Sequence, residues 1–326
     1  MDDMNIRFGC TAGFLLAVLA PGAAVAQTYP SKPVRLVIPW AAGGSTDSIG
    51  RILGQKLAEY TGQQWLIDNR GGATGTIGHA FVAKSTADGY TLLLGTNSTF
   101  AIAPHLYKGL QYDNEKSFAP VSLVAISPQI LSVHPSLPVK SVKELIALAK
   151  AKPGAIPFST AGVGATSHMA TELLMNMGGI KMTHIPYKGG GPSAQALIAG
   201  ETALSFVDVI TALPQAQGGR LRAVATSTAK RTALMPELPT IAESGLPGFE
   251  SITSFGMFAP AGTAPEIIAR VNRELARALA AADVKEKLRV QGIDPAGTPP
   301  EELTAHQKQE TAKWGKVIRE QGIKFE

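Results

Sequence analysis

Three times in this chain a short apolar run ends in a glycine-rich turn that opens a helix, a recurrence that few folds outside the layered α/β class can accommodate. The first copy spans residues 34–47. Val34, Leu36, Val37 and Ile38 read as a buried strand, and Pro39 ends it because proline has no N–H to give a sheet. Gly43 and Gly44 let the backbone turn tightly and approach a ligand without a Cβ in the way. Asp47 is expected as the N-cap of the following helix, with Ser45 and Thr46 as rival caps. Ile49, Ile52, Leu53, Leu57 and Tyr60 then share one helical face until Gly62 stops the run. Alone, such a unit is either a plain βα connection or an anion site, where unpaired N–H groups and the positive end of the macrodipole share one small space. Its repetition favours the anion site.

The second copy is a strand over 156–159, the loop Thr160-Ala161-Gly162-Val163-Gly164-Ala165-Thr166-Ser167-His168, and a helix over 169–177. The third is a strand over 182–186, the loop Tyr187-Lys188-Gly189-Gly190-Gly191, and a helix with Pro192 in its first turn. Further strands are expected over 64–68, 90–94, 203–207 (ending at Asp208) and 221–226, the last as a return across a hinge. Residues 118–133 form a long extended stretch, broken at Pro128, that leaves one domain for another. Ser141 caps a helix over 142–150, and amphipathic helices cover 265–280 and 300–321. Between them, Pro236, Pro239, Pro247 and Pro260 mark a loop-rich passage around 249–258.

The leading residues read as an export signal. Arg7 precedes an apolar run over 8–20, and Ala24-Val25-Ala26 is a small-x-small cleavage pattern before Gln27. Asp2 and Asp3 are unusual there, which points to Met4 as a start, and an uncleaved anchor is the alternative. Cys10 is the one cysteine, so the mature chain has no thiol or disulfide chemistry. Without Asp2, Asp3 and Arg7 the chain carries 29 basic and 23 acidic residues, scattered rather than clustered with aromatics. No nucleic-acid partner is expected.

Enzyme chemistry finds little support. The six histidines show no metal-ligand spacing, and no G-x-S-x-G elbow precedes a helix. Ser167 and His168 are adjacent on a helix and do not face each other. Gly72, Gly75 and Gly78 are spaced G-x-x-G-x-x-G, the loop from Gly162 reads G-x-G-x-x-S, and no G-K-[ST] follows it. Neither a dinucleotide fingerprint nor a P-loop is present, and no cofactor is expected.

Several segments in order resemble one family: P-W-A-A-G-G-S-T-D at 39–47, D-G-Y-T-L-L-L-G at 88–95, F-A-P-V-S-L-V-A at 118–125, S-T-A-G-V-G-A-T-S-H at 159–168, P-Y-K-G at 186–189, E-S-G-L-P-G-F-E at 243–250 and F-A-P-A-G-T at 258–263. On these the chain is similar, over almost all of 28–326, to the solute-binding proteins of tripartite tricarboxylate transporters, the Bug receptors. Trp40 departs from the more usual phenylalanine of that pattern. The resemblance implies an α/β periplasmic binding protein of two lobes (type II-like), each a βα sheet sandwich, closing on a small organic carboxylate. It also implies a monomer working with the permease subunits of a membrane transporter, and a periplasmic location after cleavage behind Ala26. The lobes are expected over 27–127 with 228–326, and over 128–227.

In that family the loops matching 39–47 and 159–168 grip one carboxylate from opposite lobes through backbone amides, hydroxyls and waters. The expected grip is Ala42, Gly43, Gly44 and Ser45, with Asp47 holding the turn, against Thr160, Gly162, Gly164, Thr166, Ser167 and His168. His168 either donates to ligand or only orders its loop. Asn97 and Ser98 are expected on the floor. Asp208 either accepts from a ligand or caps a helix, Lys188 either meets a second carboxylate or is solvated, and Trp40 either covers the ligand or packs in a core. A periplasmic sensor is the alternative function, a nucleotide-dependent enzyme a remote one.

Overall fold

The computed structural model describes residue 1, residues 29–321 and residue 323. The expected leader over 1–26, with Cys10, lies outside the described residues apart from Met1. Strand β1 (Val34–Ile38) leads into helix α1 (Ser45–Thr61), then β2 (Trp65–Asn69), a 3-10 turn (Ala73–Gly75), α2 (Thr76–Ala83) and β3 (Thr91–Thr96). A wide helical turn (Ser98–Ile102) and α3 (Ala103–Leu106) precede β4 (Phe118–Val133), which is 16 residues long. Next come α4 (Val142–Ala151), β5 (Pro157–Thr160), α5 (Thr166–Gly178), β6 (Thr183–Pro186), α6 (Gly190–Ile198), β7 (Leu204–Asp208), α7 (Val209–Gln217) and β8 (Arg222–Thr226). The chain continues through β9 (Ile252–Pro260), α8 (Pro265–Ala280), α9 (Ala282–Arg289), β10 (Asp294–Pro295) and α10 (Pro300–Gln321).

β4 joins the two halves of the molecule. Up to Pro128 it pairs antiparallel with β9, and Ala125 and Ile126 also pair with β10. From Gln129 onward it pairs with β7 on one side and β8 on the other. The strand order β2-β1-β3-β9-β4 therefore continues as β4-β7-β5-β6. β1 runs parallel to β2 and β3, and β5 to β6 and β7, so their connections are βα crossovers. The carboxyl ends of β1, β5 and β7 face one cleft, where open sheets of this kind bind ligands. Pro128 does not break β4, because it lies where the strand exchanges partners and its missing N–H interrupts no continuous ladder.

Each half has its own core. Val34, Leu36 and Ile38 pack with Ile49, Leu53 and Leu57 of α1 and Leu275 and Leu279 of α8. In the other half Leu131, Phe158, Leu174 and Phe206 pack with Ile241, Leu246 and Phe249. Those last three, with Met235 and Leu238 beside Ile130 and Val207, come from the segment 228–251 that the sequence assigned to the first lobe. These residues therefore pack against β4, β5 and β7, while β9, from Ile252, pairs with β3 and β4. The expected loop passage around 249–258 is largely β9. Its residues from Thr253 to Pro260 are buried on both faces, which erases the alternation that marks a strand in sequence.

Candidate functional site

Helices α1, α5, α6 and α7 all begin at a single cavity of about 70 Å³ between the halves. Their N-cap residues, Gly44, Ala165, Gly189 and Asp208, line it, and none caps its helix through a side chain. Each terminus attracts an anion by about 0.3–1 kcal/mol. Among the described residues no lysine, arginine or histidine lines the cavity. Negative charge there is met by neutral N–H groups, hydroxyls and dipoles.

Asp47 is not the N-cap that the sequence suggested; it is the third residue of α1, behind Gly44. From there its carboxylate organises the turn. Oδ2 accepts from the Gly43 N–H and from Arg51 Nε, each at 3.0 Å, and Oδ1 accepts from Asn69 at 3.0 Å. Asn69 also donates to the Trp40 carbonyl at 3.1 Å. Burial by itself would raise the Asp47 pKa, but these hydrogen bonds, with Arg51 foremost, outweigh it and hold the carboxyl below the ordinary range. Gly43 has φ +89°, a conformation that glycine adopts without strain. Asp47→Ala is expected to cost about 1–3 kcal/mol of stability. By freeing the 40–44 turn it should also weaken binding of every ligand by a similar factor. Calorimetry on folded variant checks this; unchanged affinities would remove the role.

The opposite loop is held just as tightly. Ser167 Oγ accepts from the Ala161 N–H at 3.0 Å, and His168 Nδ1 accepts from the Gly164 N–H at 3.1 Å. Nε2 of His168 lies 3.3 Å from Glu172, and its ring stacks on His184 with centroids 4.2 Å apart. Thr160 Oγ1 is 2.6 Å from His184 Nε2. Gly162, at φ +132°, is approached by Thr74 Oγ1 so closely that a Cβ would lie 3.3 Å from it. Contacts across the cleft close the site: Ser45 donates to Asp208 at 2.6 Å, Thr74 to the Val163 carbonyl at 2.6 Å, and the Thr166 N–H to Ser98 at 2.9 Å.

Of the residues singled out in the sequence, Trp40, Ala42, Gly44, Ser45, Ser98, Thr166, Ser167 and Asp208 line the cavity. Gly43, Asp47, Thr160, Gly162, Gly164 and His168 stand behind it and order the loops. Two are placed otherwise. Asn97 is fully buried beneath the floor, bonded to the Ile252 carbonyl at 2.9 Å and Glu310 at 2.8 Å, and accepts from Thr166. Lys188 is exposed and outside the lining of the cavity. Sequence reasoning missed the third glycine loop as a wall, although Gly189, Gly190 and Gly191 carry the same signal as the other two. It also missed Thr96, Gln129 and Thr211, which strand pairing and helix direction bring in from distant segments.

Four lining residues hold buried polar atoms without a protein partner: Trp40 Nε1, Thr96 Oγ1, Gln129 Oε1 and Asp208 Oδ1. Such atoms are rare in folded proteins unless something else satisfies them. Burial pushes the Asp208 pKa up, although the Ser45 hydroxyl bond and the neighbouring Gln129 amide pull the other way. No three His, Cys, Asp or Glu side chains gather as a metal site among the described residues.

Residues 49–323 match the family described as "Tripartite tricarboxylate transporter family receptor". The chain belongs to this receptor family. The receptor superposes on R. palustris Rpa4515 with adipate at a TM-score of 0.88, with 38% identity, covering 91% of this chain and 99% of that one. It superposes on the periplasmic binding protein BugD at 0.86, with 34% identity and 91% and 99% covered. For MatC of Rhodopseudomonas palustris with bound malate the values are 0.85, 31%, 89% and 100%. The receptor thus has the α/β periplasmic-binding-protein fold, and its relatives are solute-binding proteins. Among its described residues no helix is long and apolar enough to cross a membrane.

Proposed function

We propose that this receptor captures a small organic carboxylate between two lobes in the periplasm and delivers it to the membrane subunits of a tripartite transporter. The observation that carries the proposal is the convergence of four helix N-termini, none with a side-chain cap, on one cavity without a cation. Rpa4515 with adipate and MatC with malate support the ligand class. We assign residues 29–127 and 252–321 to one lobe and 128–251 to the other, moving 228–251 because its apolar residues pack with β4, β5 and β7. Charge-assisted hydrogen bonds contribute roughly 1.5–3 kcal/mol each, so a handful exceeds the ~8 kcal/mol of a micromolar complex before ordering costs. The protein acts by binding and closing, with no covalent chemistry.

A thermal-shift screen of the 27–326 chain against small carboxylates, their amides and NAD tests the proposal. A rise with adipate, malate or another acid, absent with the matching amide, is the expected result. A rise only with NAD or an amide would overturn it.

A further inference from the structure

Asp208 is an acid in the wall of a cavity suited to an anion. It ends β7 and precedes α7; its Oδ2 accepts the Ser45 hydroxyl at 2.6 Å, while Oδ1 is buried with no donor. Among the described residues no cation lines the cavity with it, and Lys188, before Gly189, is exposed. On α1, Asp47 and Arg51 pair at 3.0 Å, and on α5, His168 faces Glu172 at 3.3 Å. β4 places neutral Gln129 opposite Asp208, α6 and α7 carry no charged residue, and Asp294 on β10 is exposed.

A ligand carboxylate held by these helix termini shares the cavity with the Asp208 side chain that helps to line it. Two carboxylates sharing a site, with no cation between them, do not both stay ionised. The four helix termini carry roughly half a positive charge each, on fixed backbone N–H groups rather than on a cation.

We infer that the receptor takes up one proton with each carboxylate it binds, held on Asp208 Oδ1 and donated to a ligand carboxylate oxygen. The inference rests on the carboxylate reading above. The proton comes from solvent, and the O–H···O⁻ bond it forms supplies the one polar partner that Oδ1 lacks in the protein. Burial already favours the protonated acid. Linkage then makes the apparent Kd rise about tenfold per pH unit wherever free Asp208 is ionised and the complex is not. A ligand hydroxyl or amine donating to Oδ1 would satisfy the same atom with no proton taken up.

Calorimetric titration with adipate and with malate, at about pH 7.5 in buffers of different ionisation enthalpy, separates these cases. Wild type is expected to take up about one proton per ligand, and Asp208→Asn none. Binding without proton uptake, or uptake that survives in Asp208→Asn, overturns the inference and leaves the carboxylate reading standing. Should Asp208→Asn bind neither acid, the wild-type Kd between about pH 6 and 8 decides: a flat profile overturns the inference and a tenfold rise per unit supports it. Wild type that binds no carboxylate at all overturns the carboxylate reading, and this inference with it.

Discussion

Trp314→Ala is expected to destabilise the receptor by about 3–5 kcal/mol, as truncation of a fully buried aromatic does. On the order of 10 °C in Tm follows. Trp314 has no exposed surface and packs with Ile102, Leu106 and Ile318 and with Met169 of α5. Its indole N–H donates to Glu310 Oε2 at 2.9 Å, and the same oxygen accepts from Asn97 at 2.8 Å. Asn97 in turn accepts from Thr166 Oγ1 at the start of α5. The variant is therefore expected to lose ligand affinity as well as stability. Trp314→Phe keeps most of the apolar volume and removes the N–H, so its stability loss should be smaller, about 1–3 kcal/mol. Denaturant unfolding of both variants checks this. A Trp314→Ala protein within about 1 kcal/mol of wild type would contradict the packing argument.

Mild acid is expected to destabilise the protein through two histidines. Burial lowers the pKa of His79 from 6.5 to about 3, against a hydrogen bond to the Gly75 carbonyl. Burial, with the neighbouring His168, lowers that of His184 to about 3. Each ring is neutral in the folded chain and takes a proton near pH 6.5 when unfolded, so the unfolded state binds more protons between those values. Stability is thus complete above about pH 6.5 and falls as pH drops towards 3, by ~1.4 kcal/mol per unit for each histidine. Urea midpoints from about pH 7.5 to 5 should show the combined slope before most carboxylates titrate. His184→Gln should halve it. A flat midpoint over that range would show that both rings protonate freely in the folded state, and half the slope that one does.

Much of the architecture is legible in the sequence because its signals are local. Gly62 ends α1 in a left-handed conformation at φ 68°, Ser141 caps α4 by accepting from the Glu144 N–H, and the terminal amphipathic helices run over 265–280 and 300–321 as their periodicity indicates. β9 and the placement of 228–251 are not legible. A strand covered on both faces shows no alternation, and a loop segment carries no mark of which core will receive its apolar residues. Helix α9 also escaped, since its 8 residues leave only Val284 and Leu288 buried.

The same division holds at the site. The glycine turns, and the helices they open, follow from the sequence alone, because backbone conformation near glycine and proline is set within a few residues. Which side chains share the cavity was decided by tertiary structure. Gln129 reaches Asp208 only through the β4–β7 register, Thr74 reaches Val163 only when the halves meet, and Asn97 turns away to Glu310. Those contacts join residues up to 213 positions apart, and no local preference encodes them. The sequence by itself determined that helix N-termini would be presented at sheet ends. Packing of two sheets through the single strand β4 decided that four of them would face one another around an acid.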